Sequence, residues 1–462
     1  KPLFYSIIDK TLYFASEIKA LLKCDKITRN VTKEALWEIL YLSPNFVEGH
    51  SHFKDVLELG AAQCMTFDKS GVKKWKYWRI EAREYYRDKK YAYEKTEYLV
   101  SDAIKRQLVS DVPLCTLLSG GLDSSVVSAV ASEEYKKSGR TLSTYSFEYE
   151  GNKESFKSGL FQPESDDEYA LYLADCLGTN HTVLTCPQKK LADLLTEATV
   201  YRDAVGQGDI DSSLLYFCRE IKKEHTVSLS GECSDEIFGG YPWFYRPEML
   251  YSDFFPWIHA PRLRASLFKD KLSRSEEGYE YISGIYKKSL GECPILDSDS
   301  DEMKMSRIAS HLSVNYFMSS LLQRKDRMSM ASGLEVRVPF ADHRIYEFVY
   351  NVPWEIKFEG GVEKALLRNA MRRYLPDKIL WRKKSPYPKT HNPKYMELVS
   401  KIFWARYEKS HYLKENLDKE SLEAAISGKS TWFGQLMAAP QLLAWLIQFD
   451  FWLEHYNVNI VE

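Results

Sequence analysis

The chain opens on two short stretches rich in aromatic and aliphatic residues, Leu3-Phe4-Tyr5-Ser6-Ile7 and Thr11-Leu12-Tyr13-Phe14-Ala15. Asp9-Lys10 separates them, and the pattern predicts a β-hairpin. A short helix over about Lys33 to Tyr41, a loop, and a closing pair of strands around Lys69-Ser70-Gly71 follow. Residues 81–96 are rich in Glu, Lys, Arg and Tyr without a clear period, and read as a linker. From about 97 the pattern changes. A helical segment runs from Glu97 to Leu108, then the apolar run Pro113 to Leu118 ends at Ser119-Gly120-Gly121, and a helix from Ser124 stops before Gly139. Strand patterns at 142–149, 181–185 and 226–230 alternate with helical ones at 167–177, 188–199 and 212–223. Such alternation predicts a mostly parallel sheet with helices on both faces. The run at 226–230 reads as the last strand, and residues 250–462 as mostly helical.

Composition narrows the class. With 63 Lys and Arg against 65 Asp and Glu, no overall basic character points to nucleic acid. No apolar run approaches the roughly 20 residues of a membrane helix, and no N-terminal signal peptide is evident. Eight cysteines in 462 residues is not a disulfide-scaffold density. None stands at C-x-x-C spacing and no H-E-x-x-H occurs, which disfavours a structural zinc site. Reduced thiols in a cytoplasmic protein are the expectation, and the sequon Asn30-Val31-Thr32 is then fortuitous. The first residue is Lys1, and a chain rarely begins inside a hairpin; the expectation is that an upstream part of a domain is missing.

Three motifs carry chemistry. Leu117-Leu118-Ser119-Gly120-Gly121-Leu122-Asp123-Ser124-Ser125 lies between a buried strand and a helix start. Two glycines, three hydroxyls and a helix N-terminus make a phosphate cradle, without the lysine of the G-x-x-x-x-G-K-[ST] loop. Asp123 beside phosphate calls for a cation, and Mg²⁺ held by one or two carboxylates and phosphate oxygens fits. A bare S-G-G would be as readily a strand-to-helix turn with a serine cap; the full run favours the cradle. Ser230 to Tyr241 follows another strand and holds Glu232, Asp235 and Glu236. In an open parallel sheet it can face the first loop. A solvated acidic helix start is the plain alternative. Cys233 as an elbow nucleophile is disfavoured, because no partner histidine lies near it in sequence. Trp381 to Pro388 holds Arg382, Lys383 and Lys384, with Lys364 and Arg368 upstream. Fixed cations suit charge building on phosphate oxygens, although three consecutive basic residues alone are more often a solvated run.

The first motif resembles the pyrophosphatase loop of the N-type ATP pyrophosphatases. The second resembles the S-G-E-x-x-D-E-[IVL]-F-G-G-Y segment of glutamine-dependent asparagine synthetases. Arg324 to Ala331 with Glu335 to Phe340 resembles that family's helical-domain signature, and Phe14 to Leu22 the late part of its glutaminase domain. The resemblance implies an α/β fold: a parallel-sheet ATP pyrophosphatase (adenine nucleotide α-hydrolase-like) synthetase domain at 97–462, its core at about 97–245 and a large helical part at about 246–462. It implies the C-terminal remnant of an Ntn-type glutaminase sandwich at 1–78, with a linker at 79–96. By position, Ser119, Gly120, Gly121, Asp123, Ser124 and Ser125 would bind pyrophosphate. Leu118, Phe147, Ser230 and Gly231 would lie by adenine and ribose, and Asp123 and Asp235 would hold Mg²⁺. Glu232 would contact the substrate and act as base, and Lys384, rather than Lys383, would stabilise adenylation with Lys364 in support. The implied reaction uses ATP to turn L-aspartate into β-aspartyl-AMP and pyrophosphate, after which ammonia displaces AMP to give asparagine. Neither nucleic acid nor membrane is an expected partner, and a homodimer is admitted.

The family's glutaminase nucleophile is an N-terminal cysteine, and its early glutamine-binding segments have no counterpart here. Cys24 and Cys64 lack the free α-amine that would serve as base, so this chain is expected to use ammonia. Two rivals remain. One is a β-lactam-forming or peptide-cyclising synthetase of the same superfamily, which would not be expected to carry Glu232 in this motif. The other is an inactive, truncated nucleotide-binding paralogue.

Overall fold

The opening hairpin forms as its pattern predicts. β1 (Phe4–Ile8) and β2 (Thr11–Ala15) pair antiparallel, and Asp9 and Lys10 both take positive φ, as a two-residue turn of the primed type requires. β3 (Asn30–Thr32) leads into the helix Lys33–Trp37, whose first turn is capped by the Thr32 side chain. β4 (Leu57–Glu58) adds to the free edge of β1, and β5 (Gln63–Asp68) and β6 (Gly71–Lys76) form a separate two-stranded ribbon. The computed structural model describes residues 1–155, 167–384, 387, 389–428, 431–433 and 437–461.

The helix predicted from Glu97 begins at Lys89, where Asp88 accepts a hydrogen bond from the Tyr91 amide at 2.8 Å, and runs to Gln107. Its buried positions Ala92, Thr96, Leu99, Val100, Ala103 and Ile104 keep helical spacing. The first two are too weakly apolar to mark the period in sequence.

The central sheet is parallel throughout. Its strands are β7 (Leu114–Leu117), β8 (Ser143–Tyr149), β9 (Asn180–Cys186), β10 (Val227–Leu229) and β11 (Glu335–Arg337), in the order β11–β10–β7–β8–β9. The reading of residues 226–230 as the last strand is therefore corrected. β11 extends the sheet beyond β10, and β12 (Asn459–Val461) pairs parallel with β3. Both are only three residues long, too short to register against helical text on either side. Leu99, Val126, Val130 and Leu173 fill one face of the sheet, and Cys115, Leu214, Cys218 and Ile221 the other. The predicted helix at 188–199 is two, Gln188–Asp193 and Leu195–Arg202.

The N-terminal segment does not stand apart. Phe4, Leu36 and Trp37 belong to the same buried cluster as Trp257, Trp445 and Trp452 of the helical region. Trp37 Nε1 donates to the Ser273 carbonyl at 3.0 Å, and Tyr41 Oη to that of Ser275 at 2.6 Å. Among the described residues no helix is long and apolar enough to cross a membrane.

Candidate active site

Strand order places the site. The chain leaves β7 to one side and β10 lies on the other, so the loops after these adjacent strands diverge and open a crevice at the sheet's C-terminal edge. The two loops touch. A Cβ built on Gly231 would lie 2.5 Å from Ser124 N and 2.6 Å from Asp123 C, so the acidic loop approaches the serine loop backbone to backbone. Gly231→Ala is expected to lower stability by about 2 kcal/mol, because neither contact is a side chain that can move aside. The midpoint of a urea melt checks this, and an unchanged midpoint would contradict the close approach.

The serine loop is organised by its own hydroxyls. Ser124 Oγ accepts from the Ser119 amide at 3.1 Å, lies 3.0 Å from Ser119 Oγ, and donates to the Gly121 carbonyl at 3.2 Å. The helix Leu122–Lys137 starts here, and Ser125 Oγ in its first turn is buried with no hydrogen-bond partner among the described residues. Ser119, Gly120 and Gly121 thus sit at a helix N-terminus, where amides and dipole favour an anion. Leu118 is fully buried, and its amide donates to the Tyr145 carbonyl at 2.7 Å. Phe147 stands near the C-terminal end of β8, stacked on Phe217 with centroids 4.1 Å apart. Ser230 is buried, its amide bonded to the Arg337 carbonyl at 2.9 Å.

Two carboxylates and two lysines close the crevice. Lys364, buried and in the left-handed region at φ 56°, places Nζ 2.8 Å from both Asp123 oxygens and 2.7 Å from Asp235 Oδ1. Lys384 bonds the other Asp235 oxygen, while Lys383 is exposed. Burial pushes the Asp235 carboxyl up, but the ammonium groups of Lys364 and Lys384 overcome this and hold it well below the usual carboxylate range. Burial opposes the charge on Lys364, yet Asp123 and Asp235 raise it above the ordinary lysine value. Burial, then Asp235, drives Glu236 up to about 7. Ser385, Pro386 and Pro388 of the basic motif lie outside the described residues, and Arg368 holds the backbone carbonyls of Leu380 and Arg382.

The shared ammonium of Lys364 tests the carboxylates as cation ligands. Both aspartates converge on one cationic centre, as holding a small divalent ion would require. Among the described residues no group of three or more His, Cys, Asp or Glu could hold a metal. Two carboxylates with phosphate oxygens and water suit Mg²⁺ better than a transition metal.

Glu232 faces a second cationic group. Its Oε1 lies 3.2 Å from Arg324 Nη2 and 3.3 Å from Lys325 Nζ, both side chains buried, and Arg324 also bonds Gln207. Glu232 Oε2 and Arg324 Nε are buried without a hydrogen-bond partner among the described residues. Two cations against one carboxylate leave an excess positive charge beside an unused carboxylate oxygen. Sequence reasoning quoted Arg324 and Lys325 without giving them a task. The signal was there, in two adjacent basic residues on the helix Ser319–Ala331 that runs into β11. Cys233 is buried at φ 77°, and burial, with Glu236 and Glu232 adding to it, pushes its thiol well above the usual value. A protonated thiol is no nucleophile.

The family model Asparagine synthase matches residues 95–454, and the model Glutamine amidotransferase domain matches residues 1–78. The glutamine-hydrolysing asparagine synthetase 3 of Bacillus subtilis (strain 168) is 44% identical over 469 residues, covering 100% of this chain and 76% of the relative. The glutamine-hydrolysing asparagine synthetase 1 of the same strain is 27% identical, covering 92% of this chain and 68% of the relative. An NMN synthetase structure from Francisella tularensis covers 54% of this chain and 95% of its own at 16% identity, with a TM-score of 0.22.

Proposed function

We propose a two-step amide synthesis on L-aspartate, and the premise is that this chain belongs to the asparagine synthase family. The family makes it an ATP-dependent ligase; the substrate, intermediate and residue roles are the proposal. In the first step a side-chain carboxylate oxygen of aspartate attacks the α-phosphorus of ATP. The bond to pyrophosphate breaks, leaving β-aspartyl-AMP. The serine loop, with Ser119, Gly120, Gly121, Ser124 and Ser125, binds the leaving pyrophosphate through amides and hydroxyls. Lys364 and Lys384 exchange part of their hold on Asp123 and Asp235 for the charge developing on phosphate oxygens. Magnesium held by Asp123 and Asp235 would neutralise further phosphate charge. In the second step ammonia attacks the activated carbonyl and AMP leaves. Glu232 accepts the proton that the nitrogen must lose.

The observation that carries the proposal is the junction of the two loops, with Asp123 and Asp235 brought onto Lys364. The excess positive charge of Arg324 and Lys325 over Glu232 supports an acidic amino-acid substrate over a neutral one. The eight cysteines form no disulfide, which fits a reducing cytoplasm. For the 462-residue chain we propose ammonia as nitrogen donor.

Product analysis with ATP, Mg²⁺ and aspartate, supplying ammonium or glutamine, tests this. Asparagine, AMP and pyrophosphate are expected with ammonium. Hydrolysis of glutamine by the pure chain would end the ammonia proposal. Aspartate-dependent exchange of pyrophosphate into ATP without asparagine would leave only the adenylation step standing. The absence of both asparagine and pyrophosphate exchange in folded protein would overturn the reading.

A further inference from the structure

The end of the acidic loop, Gly239-Gly240-Tyr241, has no task in the two steps above. Its geometry is specific. A Cβ on Gly240 would lie 1.9 Å from Asp235 Oδ1, so the turn lets the carboxylate rest directly against the backbone. The turn carries Tyr241 under Lys384, whose Nζ sits 4.8 Å from the ring centroid. The ring is fixed on three sides. Its hydroxyl donates to Glu236 Oε1 at 2.7 Å, it stacks on Trp243 with centroids 4.3 Å apart and planes 17° apart, and Phe317 meets it edge-on at 5.3 Å. Lys384 itself stands on an irregular segment, and its side chain is tied only through Asp235 and this ring among the contacts described.

We propose that Tyr241 is a positioning residue for Lys384: its locked ring face holds the ammonium beside Asp235, so that the lysine is already oriented at the crevice. A lysine stem has four rotatable bonds, and a cation over a fixed aromatic face is attracted by the ring's quadrupole. The spacing from Asp235 through Glu236 to Tyr241 then has one physical reading: the first carboxylate takes the charge of the lysine, the second anchors the ring that carries it. The catalytic consequence rests on the role given to Lys384 above; the positioning does not.

The test uses the full chain with Tyr241→Phe, Tyr241→Leu, Lys384→Met and the double variant Tyr241→Leu/Lys384→Met. Two readouts are taken: aspartate-dependent ATP–pyrophosphate exchange, and the rate at which acetic anhydride modifies Lys384, read by mass spectrometry. Tyr241→Leu is expected to slow exchange about 10-fold through kcat, with the KM for ATP unchanged, and to speed acetylation of Lys384. Tyr241→Phe keeps the ring face packed on Trp243 and Phe317 and loses only the anchor on Glu236, so both readouts should fall between those of wild type and Tyr241→Leu. In the Lys384→Met background, Tyr241→Leu should cost nothing further. A full additional loss there, or unchanged acetylation of Lys384 in Tyr241→Leu, would overturn the proposal. Wild-type exchange by Lys384→Met would instead remove the catalytic role of Lys384, while acetylation would still decide whether Tyr241 positions it.

Discussion

Lys364→Met is expected to abolish most aspartate-dependent ATP–pyrophosphate exchange and to lower stability by about 3 kcal/mol in the absence of divalent cation. Methionine keeps the apolar stem and deletes the ammonium. Three close contacts end there, two to Asp123 and one to Asp235. With Lys364 gone, Asp123 loses its ion-pair partner and Lys384 is left to Asp235, and a buried charge left without its partner costs far more than a surface pair gains. The exchange rate should fall about 10²- to 10³-fold, the scale on which removal of one fixed donor to a developing anion acts. The same variant should change the pH dependence. Asp235 is held below its ordinary value, so its contribution is present above the unfolded carboxylate value of about 4 and is lost as pH falls through its folded value. Lys364 is raised, so its contribution is present below the unfolded lysine value of about 10 and is lost as pH rises through its folded value. Urea melts across pH should therefore show wild-type stability falling at both ends. Both limbs should be shallower in Lys364→Met. Equal stability and unchanged limbs would mean that the ammonium is not what holds the two aspartates.

The parts of the site that lie in continuous motifs were legible in the sequence, because strand, turn and helix start follow one another within a few residues. Ser119 to Ser125 and Ser230 to Tyr241 needed only the parallel-sheet assignment to be set face to face, and the contact of Gly231 with Ser124 is what that assignment implies. The basic run that holds Lys384, with Lys364 upstream, was legible as a candidate for stabilising phosphate charge, but the individual roles of the two lysines came only through the family resemblance. Neither spacing nor period says that a lysine in the left-handed region, 241 residues from Asp123, closes on it. The cationic side of Glu232 was read as sequence and missed as chemistry, since Arg324 and Lys325 on an exposed helix would have been an ordinary solvated pair. Only burial makes them matter. β11 and β12 were missed for a different reason. A three-residue strand buries too little to declare itself, and its existence depends on a partner strand more than a hundred residues away. The same holds for the N-terminal segment, whose aromatic residues find their core partners among helices beyond residue 250.

Glu232→Gln is expected to separate the two chemical steps. The amide is nearly isosteric and its oxygen can still accept from Arg324, so the crevice should keep its shape. What the amide cannot do is take a proton. Ammonium-dependent asparagine formation should fall about 10²- to 10⁴-fold, the usual worth of a positioned base, while pyrophosphate exchange stays within about 10-fold of wild type. Glu232→Ala should behave differently. It leaves Arg324 and Lys325 buried against no acceptor, and a loss of stability of about 3 kcal/mol should accompany the loss of amide formation. The affinity for aspartate gives a second check on the charge argument. Removing the negative charge of Glu232 leaves the charge of both cations unopposed, so the KM for aspartate in exchange should not rise in Glu232→Gln. If exchange and amide formation fall together, Glu232 acts at or before adenylation and not on the incoming nitrogen. If the KM for aspartate rises steeply, Glu232 itself binds the substrate's ammonium group, and its unused Oε2 is that contact rather than the base.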